Sequence, residues 1–185
     1  MNNRKTKDQP TEIQQTLDRV QLPAYSEIPD VGLYLEQVTR YVNSFLADFP
    51  DMQATPSMIS NYVKLKIVDK PVKKAYSREQ IARFLFIVLA KTVLSMDNIR
   101  KVFALQAESY EPEVAYEYFR TCLDGALRAF GGEETESSES ARTGSGVREE
   151  QHMMDCTASA IAYKMYLNLY FASLQVQEDG IEIIG

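Results

Sequence analysis

TPSMISNYVKLKIVDKPVKKAYSREQIARFLFIVLAKTVLSMDNIRKVF, Thr55 to Phe103, holds three helix starts and one interruption. Thr55 suits an N-cap and Pro56 the first helical position, which predicts a helix to about Lys66. Its apolar face is Ile59, Tyr62 and Val63. Ser77 with Gln80 forms a capping box, and Ile81, Phe84, Leu85, Val88 and Leu89 follow at helical spacing. Ser95 caps a third helix that turns Ile99, Val102 and Phe103 inward. Between the first two helices, Ile67 to Tyr76 is extended in character, broken by Pro71 and rich in lysine, as a short two-stranded wing would be.

The same stretch is a basic island. Lys64 to Lys101 holds ten Lys/Arg and three Asp/Glu, a balance of +7 in a chain of net charge −6. Everything outside it therefore sums to −13. Overall charge argues against nucleic acid, whereas the concentrated patch argues for it.

Upstream, Pro29 fits the start of a helix that continues through Val31, Tyr34, Leu35, Val38, Tyr41, Val42, Phe45, Leu46 and Phe49 and stops at Pro50. Glu36, Gln37, Arg40, Asn43 and Ser44 occupy its opposite face. Residues 1–21 read as a flexible tail with a possible helical stretch near Ile13 to Val20, and structure is expected from Leu22. Downstream, a helix begins near Pro112, carries Tyr116, Phe119, Leu123, Leu127 and Phe130, and stops at Gly131-Gly132. Residues 133–150 form an acidic linker. Gln151 to Gln175 is one helix, apolar over most of its circumference, that needs cover on most sides. Gly180 to Gly185 is a β-prone tail. The expected organisation is a winged helix-turn-helix domain over 22–106, a helical extension over 107–132, and a C-terminal helix and tail over 151–185 for packing or dimerisation.

At 185 residues with 45% hydrophobic content, the chain can bury a real core. Two cysteines, Cys122 and Cys156, make no disulfide framework and fit a reduced compartment. The opening residues have no apolar core of a secretory signal. The most hydrophobic stretch, Ser159 to Val176, carries Lys164 and Asn168 at its centre and falls short of a membrane span. A cytoplasmic protein is expected.

Base edges are read by side chains at i, i+3, i+4 and i+7 of an exposed helix face. Ser57, Ser60, Asn61 and Lys64 have that spacing. Lys70, Lys73 and Lys74 would hold phosphates, with Tyr76 and Arg78 beside them. A solvated polar face and a soluble lysine loop explain the same residues equally well. No arginine lies between Ser57 and Lys66, although arginine to guanine is the commonest specific contact.

The order of Asn-Tyr-Val-Lys (61–64), Ile-Val-Asp-Lys-Pro (67–71), Ala-Tyr-Ser-Arg-Glu-Gln-Ile (75–81) and Leu-Ser-Met-Asp-Asn-Ile (94–99) resembles the winged helix-turn-helix of MerR-type regulators. Tyr62, Pro71, Tyr76, Ser77, Ile81, Ser95 and Ile99 fall on the matching positions. With Leu22 to Val38 included, residues 22–106 resemble a bacterial family known only as domain of unknown function 1836. The resemblance implies a mainly α fold, a MerR-like winged helix-turn-helix with a short β wing plus additional C-terminal helices, and a DNA-binding role. The chain departs from the MerR pattern in a shorter wing, in Ser, Asn and Lys at the usual arginine positions, and in a longer first helix.

MerR-type regulators dimerise through helices placed after the DNA-binding module, which makes the helix over 151–175 the expected homodimer contact. It could equally pack on its own chain. His152 and Cys156 share a helix face but lack the further ligands a metal site needs, so no metal, cofactor or catalytic residue is expected. Met153, Met154, Tyr163, Met165, Tyr166 and Tyr170 could line an effector pocket, though such a stripe is more often core. The expected function is a DNA-binding transcriptional regulator on double-stranded DNA, without membrane association. The rival readings are a protein-interaction adaptor on the same scaffold and a small-molecule sensor.

Overall fold

The structure, a computed structural model, describes residues 9–131 and 149–178. Seven α-helices form among them: α1 (Gln9–Asp18), α2 (Leu35–Ser44), α3 (Pro56–Lys64), α4 (Arg78–Ala90), α5 (Met96–Ser109), α6 (Pro112–Arg128) and α7 (Glu149–Glu178). Short 3-10 turns stand at Tyr25–Glu27, Pro50–Met52 and Ala129–Gly131. The chain is mainly helical, and no strand occurs among the described residues.

The core is built around α4. In its run IARFLFIVLA every residue from Ile81 to Ala90 except Arg83 is buried. A helix apolar all round must be enclosed, and α2, α6 and α7 pack against it. Phe84 fills its centre between the rings of Tyr62 and Tyr76, and Phe86 lies edge-on against Phe119 of α6. Burying each such side chain contributes about 1.5–3 kcal/mol. α6 and α7 pack along each other and α1 covers both.

Several expectations change. The helix expected from Pro29 begins at Leu35, because Gly32 takes a positive φ (71°) and Leu33 pairs with Tyr76 instead. Val31 consequently stands 88% exposed. Within the expected tail 1–21, α1 inserts Ile13 and Leu17 into the core and Val20 follows just after it, so ordered packing precedes Leu22; residues 1–8 lie outside the described residues. The domain boundary expected after residue 106 falls inside α5. Most of the acidic linker (133–148 of 133–150) and the β-prone tail also lie outside the described residues. In place of strands for the expected β wing, the structure has two isolated antiparallel bridges, Leu33 with Tyr76 and Val72 with Ala75.

The 151–175 helix packs on its own chain through Met154, Ala158, Ile161, Ala162 and Met165, all buried. Thr157 is buried too and donates to the Met153 carbonyl. No described helix is long and apolar enough to cross a membrane.

Candidate nucleic-acid interface

The exposed face of α3 is positioned from both ends. At its start, Thr55 Oγ1 accepts a hydrogen bond from the Met58 N–H at 3.2 Å. Just before it, the Asn43 amide holds Ala54: Nδ2 donates to the Ala54 carbonyl and Oδ1 accepts the Ala54 N–H, both at 2.8 Å. Ile59 and Tyr62 anchor the inner face.

At the far end, Lys66 adopts φ 56°, its N–H bonds to the Val63 carbonyl, and Ile67 N–H bonds to the Tyr62 carbonyl. This is a Schellman stop with lysine where glycine is usual. Two further bonds gather neighbouring elements at this end. Arg100 Nη2, on α5, donates to the Leu65 carbonyl at 2.9 Å. Gln80 Nε2, on α4, donates to the Asp69 carbonyl at 2.7 Å.

Ser57, Asn61 and Lys64 are exposed and Ser60 is half-buried. Among the described residues their side chains have no hydrogen-bond or ionic partner.

Lys73 and Lys74 form the tip of a two-residue turn in which Val72 and Ala75 exchange backbone bonds of 3.1 and 2.9 Å. Their φ values are 51° and 68°, the left-handed pair of a type I′ hairpin turn. Gly32 passes beneath, where a Cβ would sit 3.1 Å from the Ala75 Cβ. Lys70, Lys73 and Lys74 are all exposed.

Two of the expected contact residues are corrected. Tyr76 is 5% exposed, with its ring edge-on to Phe84 at 5.4 Å, so it belongs to the core. Arg78 is half-buried; its Nε donates to the Ile28 carbonyl at 2.8 Å and its guanidinium lies over the Tyr25 ring.

The island's free charge resides in its lysines. Arg83 pairs with Glu79 and Arg100 with Asp97, while Arg78 is engaged as above. Lys91 is half-buried beside the Gln53 carbonyl, and burial lowers its pKa. Lys64, Lys66, Lys70, Lys73, Lys74 and Lys101 are exposed and unpaired among the described residues. Lys66 escapes sequence reading because glycine or asparagine is the usual signal for its conformation. Asn43 escapes because its polar side chain looks solvated on a helical wheel.

Elsewhere, Asp155 Oδ1 accepts both Tyr118 Oη–H at 3.1 Å and Cys122 Sγ–H at 2.9 Å. Burial, then this bond, pushes the Cys122 thiol up to about 12. His152 Nε2 lies 3.8 Å from Cys156 Sγ, as their spacing implies. Of the proposed effector stripe, Met154 and Met165 are core residues, whereas Tyr163 and Tyr170 are exposed. Tyr163, Leu167, Tyr170, Phe171 and Leu174 make an exposed apolar stripe along the second half of α7.

The sequence profile of a family described as Domain of unknown function (DUF1836) matches residues 23–119, just over half of the chain. No curated protein and no solved structure matches it.

Proposed function

We propose the following reading for this chain, which belongs to the DUF1836 family: it is a cytoplasmic DNA-binding transcriptional regulator with a MerR-like winged helix-turn-helix. In this reading α3 is the recognition helix, with Ser57, Ser60, Asn61 and Lys64 in the major groove. The turn at Val72–Ala75 is a minimal wing whose Lys73 and Lys74 hold phosphates, with Lys70 and Lys66 beside them. A second copy pairs through the exposed stripe of α7 and presents a second basic patch to a second half-site.

One observation carries the reading. All three non-glycine residues with positive φ among the described residues, Lys66, Lys73 and Lys74, are exposed lysines of the basic island. A side chain in the left-handed region costs about 1–2 kcal/mol, which glycine would remove. Nothing within the described fold uses these ammonium groups. Retained strain of this kind points to function, and a polyanion is the partner that offsets it.

The test is fluorescence anisotropy of a labelled, random-sequence duplex pool across a salt series. Four or five phosphate contacts give a log–log salt slope of about −4. Absence of binding at low salt would overturn the DNA reading and move the island to the recognition of an acidic protein.

A further inference from the structure

We propose that the half-open cavity between α4, α5 and α6, lined by Phe86, Phe103 and Phe119 and edged by the Glu111 carboxylate, which is unpaired among the described residues, binds a small aromatic amine. It has a volume of ≈ 230 Å³. An apolar cavity of about 150 Å³ takes up benzene, so there is room for a bicyclic ring with a short arm. The wall rings already stand in aromatic geometry: Phe86 lies 5.4 Å from Phe103 and 4.8 Å, edge-on, from Phe119. An inserted ring would extend that cluster.

The charges at the rim set the ligand's chemistry, and they are unequal. Arg83 Nη2 is held by Glu79 Oε1 at 2.8 Å and its guanidinium covers the Phe103 ring, so those two charges offset each other. Glu111 is exposed and has no ion pair among the described residues, which leaves one negative charge over an aromatic wall. An ammonium group suits that rim, and a carboxylate would be repelled.

The inference is independent of DNA binding and is tested on the full chain with tryptamine. The protein contains no tryptophan, so indole emission excited beyond the tyrosine band reports the probe alone. Tryptamine is expected to show saturable anisotropy, with indole-3-acetate at least about tenfold weaker, a 1.4 kcal/mol difference. Glu111→Gln should remove most of that preference for the amine. Ala115→Leu, which fills the cavity, should abolish binding while far-UV circular dichroism is unchanged. Absence of saturable tryptamine binding would overturn the proposal, as would equal affinity for the acid. If Ala115→Leu fails to fold, Glu111→Gln decides: an unchanged preference for the amine refutes the site.

Discussion

Asn43 and Ala54 exchange two hydrogen bonds of 2.8 Å, so that one side-chain amide serves as the backbone partner of the residue before Thr55. Gln53 Nε2 reinforces the loop by donating to the Leu46 carbonyl at 2.9 Å. The start of α3 is therefore fixed from α2, not by its own cap alone. Asn43→Ala would strand the N–H and carbonyl of Ala54, which is 4% exposed. The expected loss is about 2–3 kcal/mol in urea denaturation, from two groups at roughly 1–3 kcal/mol each with partial rescue by water. A loss under about 0.5 kcal/mol would show that the pair does not hold the helix.

Replacing Lys73 by Asn and Lys74 by Gly separates stability from binding. Asn-Gly is the preferred pair for a type I′ turn, and the present lysines hold φ 51° and 68°. Lys73→Asn with Lys74→Gly should raise stability by about 1–2 kcal/mol. The same variant loses two cations, so its salt slope for duplex binding should fall by about 1.8. Higher melting temperature with unchanged DNA affinity would remove the turn from the interface.

What could be read from the chain beforehand was the local chemistry. The caps at Thr55, Ser77 and Ser95 each form the predicted bond, because an N-cap depends on residues within one helical turn. The helix expected from Pro29 misjudges its start because the deciding contact, Leu33 with Tyr76, spans more than forty residues. Tyr76 and Arg78 sit in a basic run, and nothing in that run says that Phe84 and the Ile28 carbonyl claim them. α1 has legible spacing at Ile13, Leu17 and Val20, but its polar flanks conceal that α6 and α7 need cover.

Cys122 has a pH signature. Burial and its bond to Asp155 raise the thiol from an ordinary value near 9 to about 12, so the folded state favours the neutral thiol. The sign follows: this contribution is complete below pH 9 and is lost as pH climbs from 9 towards 12, where only the unfolded chain ionises freely. The stability gap between the native chain and Cys122→Ala should therefore shrink between pH 8 and pH 11. At pH 8.5, iodoacetamide followed by mass spectrometry should label the exposed Cys156 well before Cys122. Equal labelling rates would refute the assignment.

The proposed homodimer is tested on α7. Leu167 is 45% exposed and Phe171 58%, one helical turn apart, so neither is needed to close the protomer's own core. In a two-fold contact each substitution acts twice. At about 1.5 kcal/mol per site, Leu167→Glu with Phe171→Glu gives ~6 kcal/mol across both copies, more than a thousandfold in dissociation constant. Sedimentation velocity at micromolar concentration should show a dimer for the native chain and a monomer for the variant, with the melting of the isolated protomer little changed. A native chain that sediments as a monomer would leave α7 packed only within its own chain, on α1, α4 and α6. Two half-sites would then have to be reached by independent copies, and the steep salt dependence would persist without the added affinity of a linked pair.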